Sequence, residues 1–146
     1  MKISQIQNNV KSFDKSNKDF IYELLASYEL PKASISRLRS GNLNLSKVEN
    51  TIIWKKKLFY QIELDEDLHL TIESLVKNPK TQKHNPRFII VTDFETILSI
   101  DTKTGGSLDV ELKRLYLHYD FFLPWAGMEK SQLQNENPAD IKATQR

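Results

Sequence analysis

A chain of 146 residues and 17.0 kDa, 39% hydrophobic and 27% charged with four Gly and five Pro, has the size and composition of one folded domain rather than a disordered segment. With no cysteine, disulfide frameworks, thiolate metal sites and cysteine nucleophiles are all excluded; with no apolar run near ~20 residues and no apolar leader after Met1, the expected setting is cytoplasmic, without a membrane partner. The net charge of +2 hides an asymmetry, because residues 1–60 carry eleven Lys/Arg against five Asp/Glu and residues 61–100 carry four against seven.

Three helices are expected first. Ile3, Ile6, Val10 and Phe13 fall at helical spacing, and Ser16-Asn17-Lys18-Asp19 has the form of a capping box ahead of a stripe of Phe20, Ile21, Leu24, Leu25 and Tyr28. Pro31 suits the first turn of a third helix that carries Ile35 and Leu38 and ends at Gly41. From residue 51 the pattern becomes β-branched and aromatic. Thr51-Ile52-Ile53-Trp54 and Leu58-Phe59-Tyr60-Gln61-Ile62, separated by Lys55-Lys56-Lys57, read as one bent strand or as a hairpin. Acidic Asp65, Glu66 and Asp67 open a fourth helix with Leu68, Ile72, Leu75 and Val76 on its stripe, and Asn78-Pro79 stops it. Residues 87–92, Arg-Phe-Ile-Ile-Val-Thr, form the continuous apolar run of a central strand covered on both faces. After a turn at 93–95 come a strand at 96–100, a turn at 101–106, and a short strand and helix between Leu108 and His118. Phe121, Phe122 and Trp125 read as core rather than as a base-stacking platform.

Three features carry candidate chemistry. Leu25, Leu30, Ile35 and Leu38 have the spacing of a helix-turn-helix, whose second helix would expose Lys32, Ser34, Ser36, Arg37 and Arg39 to phosphates and base edges. Leu25 stands where a small residue is usual and Glu29 where a turn glycine is usual, so two packed helices with a solvated basic face are the alternative. Lys55, Lys56 and Lys57 could clamp a backbone phosphate or simply guard a sheet edge. A rival reading pairs Asp93 with Asp101 and Lys103 as a Mg²⁺-dependent nuclease site. His69, His84 and His118 lack ligand spacing, and no Gly-rich phosphate loop, Gly-x-Ser-x-Gly elbow or Rossmann fingerprint is present.

Residues 86–95, 100–104, 120–130 and 136–143 carry a more specific likeness. Their sequences, including Asp120-Phe121-Phe122-Leu123-Pro124-Trp125-Ala126-Gly127 and Asn137-Pro138-Ala139-Asp140, resemble the N-terminal region of MmeI-like adenine-specific DNA methyltransferases, of the type IIG/IIL restriction-modification kind. The segment from Pro31 to Leu38 and on to Lys47 is similar to standalone members.

The resemblance implies a restriction-endonuclease-like α/β domain, a mixed sheet flanked by helices with a helical N-terminal part. It would span residues 1–129, helical over 1–45 and sheet over 46–129, and 130–146 would be a polar tail or linker to a methyltransferase region. The chain itself has no Asn-Pro-Pro-Tyr-type motif and no cofactor loop, so S-adenosylmethionine is expected only in a presumed full-length protein. Nuclease-bearing relatives carry Glu-x-Lys on the strand before the fourth helix, where this chain offers Tyr60 and Ile62. The expected function is therefore a non-catalytic, degenerate-nuclease domain that helps to place the methyltransferase on DNA or on a partner subunit. The Mg²⁺ nuclease and a purely structural module are the alternatives.

Overall fold

The computed structural model of the chain describes residues 3–16 and 18–128; the tail expected over 130–146 lies outside the described residues. Three helices, α1 (Ile3–Ser12), α2 (Phe20–Ser27) and α3 (Lys32–Ser40), precede a hairpin of β1 (Thr51–Trp54) and β2 (Leu58–Ile62). Helices α4 (Leu68–Lys77) and α5 (Pro79–Lys83) then lead to β3 (Phe88–Thr92), β4 (Thr96–Asp101) and β5 (Ser107–Glu111), and a 3₁₀ segment follows over Leu112–Ala126. The five strands lie side by side in chain order. Among the described residues only β2 and β3 run parallel, with Leu58 opposite Phe88; the other neighbouring pairs are antiparallel. This is a mixed α/β sheet with a helical N-terminal part, as the sequence implies.

β3 occupies the centre, and all five of its residues are buried. Phe88 and Ile90 enter a core shared with α1, α2, α3 and the 3₁₀ segment; Ile89 and Val91 enter a second core with Leu68, Ile72 and Leu75 of α4. A strand covered on both faces has no polar alternate, which is why its run is unbroken.

Local chemistry accounts for most boundaries. Asp67 caps α4 by accepting from the amides of His69 and Leu70 at 2.7 and 3.2 Å. Gly41 ends α3 at φ 100, in the left-handed conformation that favours glycine. The segment at 51–62 resolves as the hairpin.

Three expectations are corrected. Ser16 does not cap α2, because its amide and hydroxyl both donate to the Asp14 carboxylate at 2.9 and 2.6 Å, an Asx turn that competes with the cap. Pro79 does more than stop a helix: Asn78 accepts from the Lys80 amide at 2.9 Å and Pro79 takes the first position of α5. The helix expected up to His118 is instead a 3₁₀ run, kinked at His118 and continuing through Pro124. That run still delivers Leu112, Leu115, Phe122, Leu123 and Trp125 to the core, as expected for Phe122 and Trp125, with Phe121 half-buried.

The loop after α3 covers the outer edge of β1. The Leu45 amide donates to the Ile53 carbonyl at 2.9 Å, and the Asn44 side chain accepts from the Ile53 amide at 2.9 Å. Edge groups that would otherwise invite a foreign strand are thereby used internally.

Candidate nucleic-acid interface

α2 and α3 meet through a turn of four residues, 28–31. Glu29 there has φ 59, so the position where a glycine is usual does take the left-handed conformation, without a glycine. Leu25, Leu30, Ile35 and Leu38 are all buried, and the Tyr28 hydroxyl donates to the Tyr119 carbonyl at 2.6 Å, tying this turn to the 3₁₀ segment. The opposite face of α3 is open. Lys32, Ser36, Arg37 and Arg39 are exposed and Ser34 is half-buried. Arg39 is partly engaged, 3.4 Å from the Asp19 carboxylate and 4.4 Å over the Tyr22 ring, whereas Lys32 and Arg37 form no ion pair among the described residues.

Lys55, Lys56 and Lys57 make the β1–β2 turn, with the Lys57 amide donating to the Trp54 carbonyl at 2.9 Å and Lys56 at φ 69. The turn is anchored on two sides: Lys56 donates its amide to the His84 carbonyl at 3.0 Å, and Trp125 Nε1 donates to the Lys57 carbonyl at 3.1 Å. It therefore belongs with the loop entering β3 rather than with the basic face of α3. The eight candidate residues fall into two groups, five on α3 and three on this turn.

The nuclease alternative does not assemble. Asp93 lies in the β3–β4 turn, where its carboxylate accepts from the amides of Glu95 and Thr96 at 2.9 and 2.8 Å. Asp101 lies at the far end of β4, opposite Phe88, so the two acids are separated by roughly 15 Å at ~3.4 Å per strand residue. Asp101 is also committed. Its carboxylate takes a bidentate pair from Arg87, Nε to Oδ1 at 2.8 Å and Nη2 to Oδ2 at 3.0 Å, and accepts from the Lys103 amide at 2.9 Å. Tyr60 and Ile62, the residues expected to stand in place of a Glu-x-Lys pair, are buried and half-buried on β2. Neither side chain is a ligand for a hard divalent cation. Among the described residues no group of three or more His, Asp or Glu side chains is placed to hold a metal ion.

One histidine does meet acids. His69 on α4 places Nε2 2.7 Å from the Asp109 carboxylate on β5 and Nδ1 3.6 Å from Asp67. The Asp109 hydrogen bond, aided by both negative charges, holds the imidazole above its ordinary value. The charged pair is complete below the ordinary ~6.5 and is lost as pH rises through the higher folded value. The imidazole resonances of His69 are expected to titrate with a midpoint above ~6.5, and Asp109→Asn should bring that midpoint down. A wild-type midpoint at or below the ordinary value would remove the pair.

Not legible in the sequence is that Asn85 and Arg87 line one recess with Lys56 of this turn, a neighbourhood set by the parallel strand pair. Asn85-Pro86 and the turn at 101–106 are each legible as turns; only the order of strands makes them neighbours.

Comparison with known proteins completes the picture. DNA methyltransferase A of Bacillus subtilis (strain 168) is 38% identical over 145 residues, which is 99% of this chain and 16% of that protein. The chain thus spans less than a fifth of the relative it matches. No solved structure matches. Among the described residues no helix is long and apolar enough to cross a membrane. The family described as "MmeI, N-terminal domain" matches residues 1–146, the whole length of the sequence, and to that family the chain belongs.

Proposed function

We propose that the domain is a non-catalytic N-terminal part of a DNA adenine methyltransferase of a restriction-modification system, and that it helps to place that enzyme on DNA or on a partner subunit. The carrying observation is the match along the whole chain to MmeI N-terminal domains, joined by 38% identity to a protein named as a DNA methyltransferase. Against a cleavage role stand the separation of Asp93 from Asp101 by the length of a strand and the pairing of Asp101 with Arg87. Methyl transfer, with S-adenosylmethionine as donor, belongs to another region of the longer protein. The sheet with helices on both faces supports a restriction-endonuclease-like layer that has kept its scaffold and lost its metal site. On that scaffold α3 offers Lys32, Ser34, Ser36, Arg37 and Arg39 to the phosphate backbone, with Arg37 also able to reach a guanine edge.

Purified protein incubated with duplex DNA and Mg²⁺ or Mn²⁺ is expected to leave it intact, and with S-adenosylmethionine to leave it unmethylated. Binding should be weak and largely independent of sequence, micromolar or poorer near physiological salt. An Arg37→Ala/Arg39→Ala variant should lower the magnitude of the salt slope by about two units of log K per log salt. Metal-dependent cleavage abolished by Asp93→Asn would restore the nuclease reading, and absence of DNA binding at low salt would leave a scaffold that docks only protein.

A further inference from the structure

Three turns that are distant in sequence converge at the end of the sheet where β2 and β3 begin. The parallel register of Leu58 with Phe88 sets the β1–β2 turn beside the loop entering β3. The antiparallel register of Phe88 with Asp101 sets the β4–β5 turn on the other side of that loop. Between them lies a recess of about 260 Å³ lined by Lys56, Asn85, Arg87, Thr102 and Lys103.

Its walls are tied together through the backbone. The Lys56 amide donates to the His84 carbonyl at 3.0 Å, the Thr102 amide to the Arg87 carbonyl at 2.9 Å, and the Thr102 hydroxyl to the Pro86 carbonyl at 2.6 Å. Lys56 and Asn85 hold φ values of 69 and 48, the left-handed conformation that asparagine visits readily and lysine seldom. The recess is therefore a shaped feature of the fold.

Charge is its second property. Three of its five lining residues are cationic and none is acidic. Arg87 already has a counter-charge in Asp101, so it contributes position and donors more than net charge. Lys56 and Lys103 are exposed and form no ion pair among the described residues. Lys55 in the same turn and Lys83 at the end of α5, both exposed, extend the field of the same sign. Like charges gathered around one concavity repel each other, and an anion that several of them share relieves the repulsion. A phosphate group suits the donors present: two ammonium groups as point charges, and an amide side chain on Asn85 as a neutral donor.

We propose that this recess binds phosphate groups, and that in the parent protein they belong to a DNA backbone. The second half rests on the function proposed above. It extends the DNA-facing surface from the lysine turn to Asn85, Arg87 and Lys103, and separates it from α3.

The test uses the 146-residue protein, its Lys56→Ala/Lys103→Ala variant, and two probes: a random-sequence duplex and inorganic pyrophosphate. Lys56 and Lys103 are exposed, and a thermal melt unchanged from wild type confirms that the variant folds. The expected result is that the duplex shifts the amide resonances of Lys56, Asn85 and Lys103. The variant should bind it at least ~10-fold more weakly, with a salt slope smaller by about two units. If wild type and variant bind the duplex equally, the recess is not the contact and this proposal falls, while DNA binding through α3 stands. If pyrophosphate shifts those amides and the duplex does not bind, the phosphate recess stands and the DNA reading falls. If neither probe moves those resonances, the proposal is overturned.

Discussion

Replacing Asp101 with alanine is expected to destabilise the domain by about 3–5 kcal/mol, measured by urea unfolding. Arg87 and Asp101 pair in a bidentate geometry with side chains only 15% and 8% exposed, so removing the carboxylate takes the counter-charge from a largely buried guanidinium. The amides of Lys103 and Thr104, which shape the β4–β5 turn, lose the same acceptor. Against a total stability of ~5–15 kcal/mol, the loss is a large fraction. Burial alone would raise the Asp101 carboxyl, but the Arg87 hydrogen bond and the two amides outweigh it and hold the group below the ordinary carboxylate value. A depressed folded value means that the contribution is complete above ~3.9 and disappears as pH falls through the folded value. Wild-type stability should therefore drop steeply below pH ~4, and the alanine variant should lack that component. A double Arg87→Met/Asp101→Leu variant should recover most of the loss, because no buried charge is then left unpaired. A single-variant effect below ~1 kcal/mol would show that the pair is hydrated and carries little, as exposed pairs do.

Trp125→Ala is the second large effect, also about 3–5 kcal/mol in the same measurement. The indole is 5% exposed, stacks on Phe122 at 4.8 Å with an interplanar angle of 11°, and meets Phe88 and Tyr28 edge-on at 5.1 and 5.7 Å. It thus joins the 3₁₀ segment, the central strand and the α2–α3 turn in one aromatic cluster. Its Nε1 also holds the Lys57 carbonyl. Trp125→Phe separates the two contributions: most of the packing remains, and loss of the hydrogen bond should cost about 1 kcal/mol. Equal losses for the two variants would place the effect in the hydrogen bond rather than in the cluster.

Much of the scaffold is legible along the chain because the signals are local. An unbroken run from Phe88 to Thr92 names a strand covered on both faces, Gly41 names the end of α3, and the acids before Leu68 name the start of α4. Local signals mislead where two of them compete for one group. Asp14 reaches Ser16 before α2 can use it, and Pro79 is at once a stop for α4 and a start for α5. The 3₁₀ run is hidden in the sequence because its apolar spacing resembles that of an α-helix until the kink at His118. The site is less legible for a different reason. Asp93, Asp101 and Lys103 look close when counted along the sequence, yet one strand length parts the two acids. Lys56, Asn85 and Lys103 look unrelated, yet the strand order gathers them. Spacing reports neighbours on one element; pairing across a sheet is decided by contacts that no single segment encodes.

The lone parallel seam has a consequence for how the chain finds its fold. Joining β1 to β2, or β3 to β4, closes a turn of only three residues, 55–57 or 93–95, whereas joining β2 to β3 must close the 25 residues of 63–87. Chain entropy lost on closure grows with the logarithm of loop length, so the two hairpins are cheap local units and the seam between them is the costly step. The 55–57 turn meets the loop entering β3 only across that seam. The cationic recess therefore depends on that seam: it is absent from either hairpin alone and complete only where the two halves of the sheet meet.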